Sequence, residues 1–487
     1  MKDCKRWPNM KILNYISGDF CTPDSDEWLE DYSPATGEVI ALIPKSGKED
    51  VDKAVNAALE ALPSWSSLTN LDRASWLEKI ADRLESKYEE IAELESKDTG
   101  KPISLAREVD AYRSVKNFRF FAAMIKDLTN EEFEMDDATN RVVYKPVGVG
   151  ALITPWNLPL YLLSWKVAPA IGMGNTVVCK PSEMTPLTAD LLMKTVDEIG
   201  LPKGVINLVH GDGVGAGSPL VSHEDVSLVS FTGGTETGSI VAKSASSSFK
   251  KLSLELGGKN ASIVFDDCDL EKTVNGVVRA GFLNQGQVCL CGSRILVQEK
   301  IYNEFIEKFV LRVEQMKIGD PSDEETDLGA LISPEHLSKI EKYIQIAKEE
   351  GGEILTGGYP QLSEKYKSGN WICPTVIANL DVNSRCSTEE IFGPVVTIHK
   401  FKDEGEAIEI ANNTRYGLAG SIWTEDLEKG NRVAESIDTG MIWINTWLHR
   451  DLRVPFGGVK DSGVGREGGR WSLNFFSEVM NICTKFN

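Results

Sequence analysis

Apolar residues recur at three- and four-residue spacing through Lys48–Leu62, Leu71–Lys97 and Leu105–Ala123, which predicts three helical stretches. Arg113, Lys116 and Arg119 are interleaved in the third. A polar, acidic stretch from Asn130 to Asn140 follows, and Arg141-Val142-Val143-Tyr144-Lys145-Pro146 then predicts a strand. From Val147 the pattern changes. Short apolar runs at Val147–Ile153, Thr176–Cys179, Val205–Val209, Leu228–Phe231 and Ala261–Phe265 alternate with helical segments near Tyr161–Ile171, Thr185–Ile199 and Glu236–Ala245. Strand, glycine or proline turn and helix, repeated in this way, predict an α/β fold with a parallel sheet of the nucleotide-binding type. A second α/β region runs from about Gly258 to Trp447, and the tail Phe475–Lys485 has the mixed pattern of an edge or partner-pairing strand.

Composition narrows the picture. The 487 residues suffice for two or three domains, and 41% hydrophobic with 26% charged residues is ordinary for a globular protein. No apolar run approaches the roughly 18–20 residues of a bilayer span, so no membrane partner is expected. Met1–Asn9 is polar and lacks an apolar signal core, and the nine cysteines are scattered. Both point to free thiols in a reducing, cytoplasmic setting. A net charge of −21 argues against nucleic acid. An anionic substrate would have to be captured by local arginines against that field.

Candidate chemistry gathers in a few segments. Cys289 lies in Asn284-Gln285-Gly286-Gln287-Val288-Cys289-Leu290-Cys291, where the polar flanks disfavour a buried strand and suit a short helix start or a loop. There a thiol would be a nucleophile if activated. Glu255 is the one charge between Ser253 and Gly258 in a strand-like run. It is either a general base raised by burial or the partner of Lys250, Lys251 or Lys259. Asn157, in Thr154-Pro155-Trp156-Asn157-Leu158-Pro159, is either an oxyanion donor at the sheet's C-terminal edge or an Asx-turn residue. Two glycine turns follow strands, Gly211–Ala216 and Phe231–Gly238; either would place a pyrophosphate on a helix N-terminus. Glu183, beside Lys180, suits a ribose and repels a 2′-phosphate, which favours NAD over NADP. The five histidines are dispersed, so no catalytic metal is expected.

Taken together the chain resembles the aldehyde dehydrogenase superfamily over nearly its whole length. The resemblance rests on Pro155-Trp156-Asn157-Leu158-Pro159, Gly174-Asn175-Thr176, Lys180-Pro181-Ser182-Glu183, Phe231-Thr232-Gly233 and Leu254-Glu255-Leu256-Gly257-Gly258-Lys259. It continues in Gly286-Gln287-Val288-Cys289, Glu389-Glu390-Ile391-Phe392-Gly393-Pro394 and Pro455-Phe456-Gly457-Gly458, with Ser462-Gly463-Val464-Gly465-Arg466-Glu467.

The resemblance implies that Cys289 is the nucleophile and Glu255 the base. Asn157 and the Cys289 N–H would form the oxyanion hole. It implies NAD as cofactor, with Lys180 and Glu183 on the adenosine ribose, Glu390 on the nicotinamide ribose and Phe392 packing nearby. Ile153, Trp156, Gly213, Phe231, Gly233, Gly234 and Leu256 would line the cleft. Lys166 and Glu467 would relay protons. Gly234 departs from the serine common in relatives.

The implied fold is an NAD-binding domain (1–122 and 147–257), a catalytic domain (258–455) and a bridging β arm (123–146 and 472–487) that makes a homodimer or homotetramer.

Within the superfamily, Asn157–Lys166, Cys289-Leu290-Cys291 and Asn117–Phe121 are most similar to the branch acting on 2-aminomuconic semialdehyde, with the 2-hydroxymuconic branch next. Such substrates carry a carboxylate, for which Arg113 and Arg450 are the expected contacts and Arg119 and Arg453 the substitutes. The ordinary alternatives are a solvated arginine or, for Arg450, an ion pair with Asp451. The implied setting is tryptophan catabolism by the kynurenine route. Retinal or another aliphatic aldehyde, and a non-catalytic structural protein on the same scaffold, are the rival readings.

Overall fold

The computed structural model describes residues 10–486; Met1–Asn9, where the signal-core expectation falls, and Asn487 at the end of the expected arm lie outside the described residues.

Three sheets organise the chain. The first has eight strands, five of them parallel at its centre. In spatial order these five are Ile206–Leu208, Thr176–Lys180, Val149–Ile153, Val226–Thr232 and Lys251–Glu255. The chain enters this parallel set at Val149–Ile153, steps outward twice, then returns to add two strands on the other side. That reversal lies between Val149–Ile153 and Val226–Thr232, and a reversal of this kind opens a crevice at the strands' C-terminal ends.

All residues of Val149–Ile153 and Thr176–Lys180 are buried, as strands covered on both faces must be. The helix Pro159–Gly172 starts with a proline at its first turn, where no N–H is needed. All but Leu162 of its residues are buried, so it is a core helix with no polar face.

The second sheet has seven strands, with Ala261–Val264 and Arg294–Gln298 paired in parallel near its centre. Its core includes Val288 and Leu290. The third is the arm: Glu131–Glu134, Ala138–Pro146 and Ser477–Lys485. The tail strand runs antiparallel along Ala138–Pro146, from Ser477 opposite Pro146 to Lys485 opposite Ala138.

Several features depart from the sequence expectation. The stretch Leu71–Lys97 is two helices, Asn70–Glu85 and Tyr88–Thr99. Leu105–Ala123 opens with a π-helical segment, Ala106–Ala111, before Tyr112–Lys126. Four short strands between Asn14 and Pro44 carry too little alternation to be seen in the sequence. The short strand Gly463–Val464 adds to the first sheet beside Lys251–Glu255, far from its neighbours in sequence. Among the described residues, no helix is long and apolar enough to cross a membrane.

Candidate active site

The ends of neighbouring strands deliver the site. Ile153, Lys180 and Phe231 sit in register across three strands, and Thr232 pairs with Glu255 on the fourth. The loops leaving these ends border a cavity of about 580 Å³. Cys289, Glu255 and Asn157 all line it, as do Trp156, Glu390 and Phe392.

Cys289 stands on a turn after the 3-10 segment Leu283–Gly286, not at a helix start. Its neighbours Val288 and Leu290 are buried in the second core and leave Cys289 partly exposed to the cavity. The turn is strained: Asn284 (φ 54°) and Gln285 (φ 57°) are both left-handed without being glycine. Each such residue costs of order 1–3 kcal/mol and persists where surroundings over-determine it. Here Gln285 Nε2 donates to the Ala330 carbonyl at 3.0 Å and Asn284 Nδ2 to the Asn157 carbonyl at 3.1 Å. Gly286 (φ 68°) completes the bend; a Cβ there would lie 2.1 Å from the Gly393 carbonyl oxygen.

Asn157 is 4% exposed, and its Nδ2 donates to the Gln287 carbonyl at 2.9 Å. That bond crosses 130 residues of sequence, so the side chain serves the cavity rather than its own turn. The Cys289 N–H has no backbone acceptor among the described residues.

Glu255 is 4% exposed and neither carboxylate oxygen has a hydrogen-bond partner. The three lysines considered as its partners are engaged elsewhere or unpaired. Lys250 binds the Val226 carbonyl and Lys251 the Ser477 carbonyl, while Lys259 Nζ has no partner. Burial raises the Glu255 carboxyl well above its ordinary range; Glu467 adds to the rise, and Lys166, Arg466 and Arg450 oppose it. Burial also raises the Cys289 thiol, with Glu255 and Glu390 adding and Arg450 opposing. Behind Glu255, Lys166 Nζ is 2.8 Å from Glu467 Oε1 and 2.9 Å from Ser230 Oγ. A two-way backbone bridge between Phe456 and Glu467 fixes the latter.

The two glycine turns differ sharply. In Gly211–Ala216 the Asp212 carboxylate already accepts from the N–H groups of Val214 and Gly215, at 3.0 and 2.6 Å. Gly213 is exposed there and does not border the cavity. The helix Thr235–Ser246 has no side-chain cap, and a Cβ on Gly234 would meet nothing within 4 Å. Its first N–H groups are therefore open to an anion. Gly233, Gly234 and Leu256 border the cavity.

At the end of Thr176–Lys180, Lys180 and Glu183 form an ion pair at 3.0 Å. Glu390 Oε1 accepts from the Gly258 N–H at 2.9 Å, and burial raises its carboxyl. Phe392 meets Trp156 edge-on at 5.4 Å, and its carbonyl contacts His336 Nε2 at 2.7 Å. These donors, acceptors and aromatic faces suit a dinucleotide lying along the strand ends.

Arg113 and Arg450 both border the cavity. Arg113 Nη1 is buried without a hydrogen-bond partner. Arg450 lies over aromatic rings, 4.2 Å from the Phe456 centroid and 5.3 Å from that of Trp165. Asp451, its alternative partner, is bound by Arg453 at 3.0 Å. The two substitutes lie apart from the cavity, Arg119 on Asp82 at 2.9 Å and Arg453 on Asp451.

Sequence reasoning missed the buried group Glu95, Lys101 and Asp110, which reaches the Asn157 loop. It also missed His336, Lys339 and Tyr112 at the cavity wall. Only a lysine set between glycine and proline in Gly100-Lys101-Pro102 marked the first of these.

The family model described as "Aldehyde dehydrogenase family" matches residues 20–482. A "2-aminomuconic semialdehyde dehydrogenase" of Mus musculus is 48% identical over 482 residues, covering 98% of this chain and 99% of the relative. A "2-hydroxymuconic semialdehyde dehydrogenase" of Pseudomonas sp. (strain CF600) is 44% identical over 483 residues, covering 98% and 99%. The crystal structure of a betaine aldehyde dehydrogenase from Staphylococcus aureus in complex with NAD+ superposes with a TM-score of 0.95 at 39% identity, covering 98% of this chain and 95% of that one.

Proposed function

The chain belongs to the aldehyde dehydrogenase family, and from that premise we propose that it oxidises 2-aminomuconic 6-semialdehyde to 2-aminomuconate with NAD. Oxidation of an aldehyde with NAD is the family activity; the substrate and the residue roles are our reading. One observation carries the choice of substrate. Among the described residues, two arginines that form no ion pair with a carboxylate, Arg113 and Arg450, border the cavity that holds Cys289, in a chain of net charge −21. An anionic aldehyde satisfies them, whereas a quaternary ammonium aldehyde would be repelled. Charge-assisted hydrogen bonds of this kind contribute roughly 1.5–3 kcal/mol each.

The roles follow from chemistry at named atoms. Cys289 Sγ, as the thiolate with its proton given up to water, attacks the aldehyde carbon. The oxygen that gains charge is met by Asn157 Nδ2 and the Cys289 N–H, donors placed before the reaction begins. NAD, when bound, supplies the hydride acceptor. Cys289 is then left as a thioester. Glu255 takes a proton from water, the water attacks the thioester carbon, and the acid leaves as the thiol is restored. Glu467, paired with Lys166, stands next for the proton.

Lys180 and Glu183 would hold the adenosine ribose and Glu390 the nicotinamide ribose. The open N-terminus at Gly234 would take the pyrophosphate, in preference to the self-capped turn at Gly213. The missing serine hydroxyl at Gly234 removes one hydrogen bond, worth roughly 0.5–1.5 kcal/mol. Ile153, Trp156, Phe231, Gly233, Leu256 and Phe392 would form the cleft walls. The first sheet would be the cofactor domain and the second the catalytic domain.

The three-stranded arm leaves Glu131–Glu134 and Ser477–Lys485 as open edges, with Phe133, Met135 and Val479 exposed. Such edges support pairing with a second copy as a homodimer or homotetramer. A cytoplasmic place in tryptophan catabolism accompanies this substrate.

The test is NADH formation from a muconic semialdehyde generated in situ against a neutral medium-chain aldehyde. The expected preference in kcat/KM is at least roughly tenfold for the anion. Equal values would sink the substrate assignment. The 2-hydroxy analogue is the second reading, favoured by the Pseudomonas relative, and belongs in the same panel.

A further inference from the structure

Lys101, Glu95 and Asp110 are all fully buried. Lys101 Nζ donates to Asp110 Oδ2 at 2.7 Å and to the Asn157 carbonyl at 3.0 Å, and lies 3.9 Å from Glu95 Oε2. Glu95 Oε1 in turn accepts from the Leu160 N–H at 2.9 Å and from Thr188 Oγ1 at 2.8 Å. Two members of the group therefore grip one stretch of chain, Lys101 at the Asn157 loop and Glu95 at Leu160 in the first turn of the helix that follows it. Asp110 belongs to the π-helical segment Ala106–Ala111, three residues before Arg113. Asn284 Nδ2 is the second donor on the Asn157 carbonyl, and the Asn157 side chain reaches the Gln287 carbonyl.

Burying such a group gains little stability over an apolar packing, because desolvation offsets the attraction. Its value lies in geometry. A backbone carbonyl held from two sides cannot rotate, and the side chain on the same residue then points one way.

We propose that Lys101, braced by Asp110 and Glu95, is a positioning residue that fixes the Asn157 loop and thereby aims Asn157 Nδ2 at the substrate oxygen. This rests on Asn157 being the oxyanion donor. Through Asp110 the same lysine ties the Arg113 segment to that loop, so the carboxylate-binding wall and the oxyanion donor share one anchor.

Lys101→Met tests the idea in the full-length protein, with Cys289 titrated so that rates are expressed per reactive thiol. The expected result is a fall in kcat per titrated site of roughly 10- to 100-fold, the size seen when a reacting group is misplaced by about 1 Å. KM for NAD should be unchanged. Anionic and neutral aldehydes should lose kcat equally, since both develop the same oxyanion, while KM should rise for the anionic one alone, because the Arg113 segment shares the anchor. A merely structural role would lower thermal stability and the fraction of titratable thiol, but not kcat per titrated site.

Should the single variant fail to fold, Lys101→Met with Asp110→Asn removes the closest ion pair together and leaves Glu95 on its Leu160 and Thr188 donors. Full kcat per titrated site in either variant overturns the proposal. Asn157→Ala, run in parallel, separates the layers. If it keeps full kcat, the oxyanion reading falls and this inference with it. If it loses kcat while the Lys101 variants keep theirs, only this inference falls.

Discussion

The floor and the wall of the cavity are built on opposite terms. On the floor, Glu255 and Asn157 are buried and Cys289 partly so, delivered by three separate stretches of the chain. At the wall, Arg113 and Arg450 keep guanidinium groups without carboxylate partners, one with a buried unpaired Nη1 and one over aromatic rings. Burial on the floor shifts protonation; incomplete pairing at the wall leaves attraction for a ligand. On the proposed roles the floor would set which reaction occurs, and the wall which aldehyde reaches it.

The largest effects belong to the floor. Cys289→Ala should abolish NADH formation with every aldehyde while leaving NAD binding intact in a fluorescence titration; any retained turnover would refute the thioester route. Glu255→Gln should permit a single burst of NADH and then slow steady-state turnover by roughly 10²-fold or more, as expected for loss of a general base. Rapid-quench detection of the accumulated thioester checks it, and steady-state turnover at the unmodified rate would remove Glu255 from that role.

The wall predicts smaller and selective effects. Arg450→Ala should raise KM for the carboxylate-bearing semialdehyde by roughly 10- to 100-fold and leave KM for a neutral aldehyde nearly unchanged, with both compared above the climbing limb of the pH profile. Equal losses on both would dissolve the distinction between floor and wall.

The same variant links the two regions through pH. The Cys289 thiol is raised by burial, so the reactive thiolate is scarce at neutral pH and kcat/KM should climb with pH. The Arg450 cation opposes that rise, so removing it should move the climbing limb to higher pH. A limb that stays in place, or moves to lower pH, contradicts the coupling. The smallest effect is expected from Arg119→Ala: its ion pairs with Asp82 and Glu85 are on the surface, and kcat/KM should change less than about twofold.

Much of this was legible in the sequence because it is local. Four of the five parallel strands announce themselves as apolar runs stopped by glycine or proline; the fifth expected run, Ala261–Phe265, instead supplies a strand of the second sheet, and Lys251–Glu255, whose lysine and glutamate mask its apolar character, takes its place. Cys289, Glu255 and Asn157 stand out as polar residues in the wrong surroundings. What was illegible depends on distant partners. Glu95, Lys101 and Asp110 look like solvated charges until the fold removes water from all of them. The left-handed pair Asn284 and Gln285 has no local signal, since its bonds reach Asn157 and Ala330. The break at Ser86-Lys87 has neither glycine nor proline to mark it, and helical period alone runs straight through. The difference between the glycine turns likewise lies in one side chain, Asp212, which fills its own turn.

The last part of the chain sets when the pocket can exist at all. Lys166 meets Glu467, and Asn175 meets Phe476, across 301 residues in each case. Gly463 lies alongside Glu255, at an edge that stays open until Gly463–Val464 arrives. During synthesis the parallel strands can form early, but Glu255 is enclosed only when Gly463–Val464 and Glu467 have emerged. Contacts this remote form slowly. Pulsed hydrogen exchange during refolding should therefore find the amides of Lys251–Glu255 protected after those of Val149–Ile153, so that reactivity is the final property the molecule acquires.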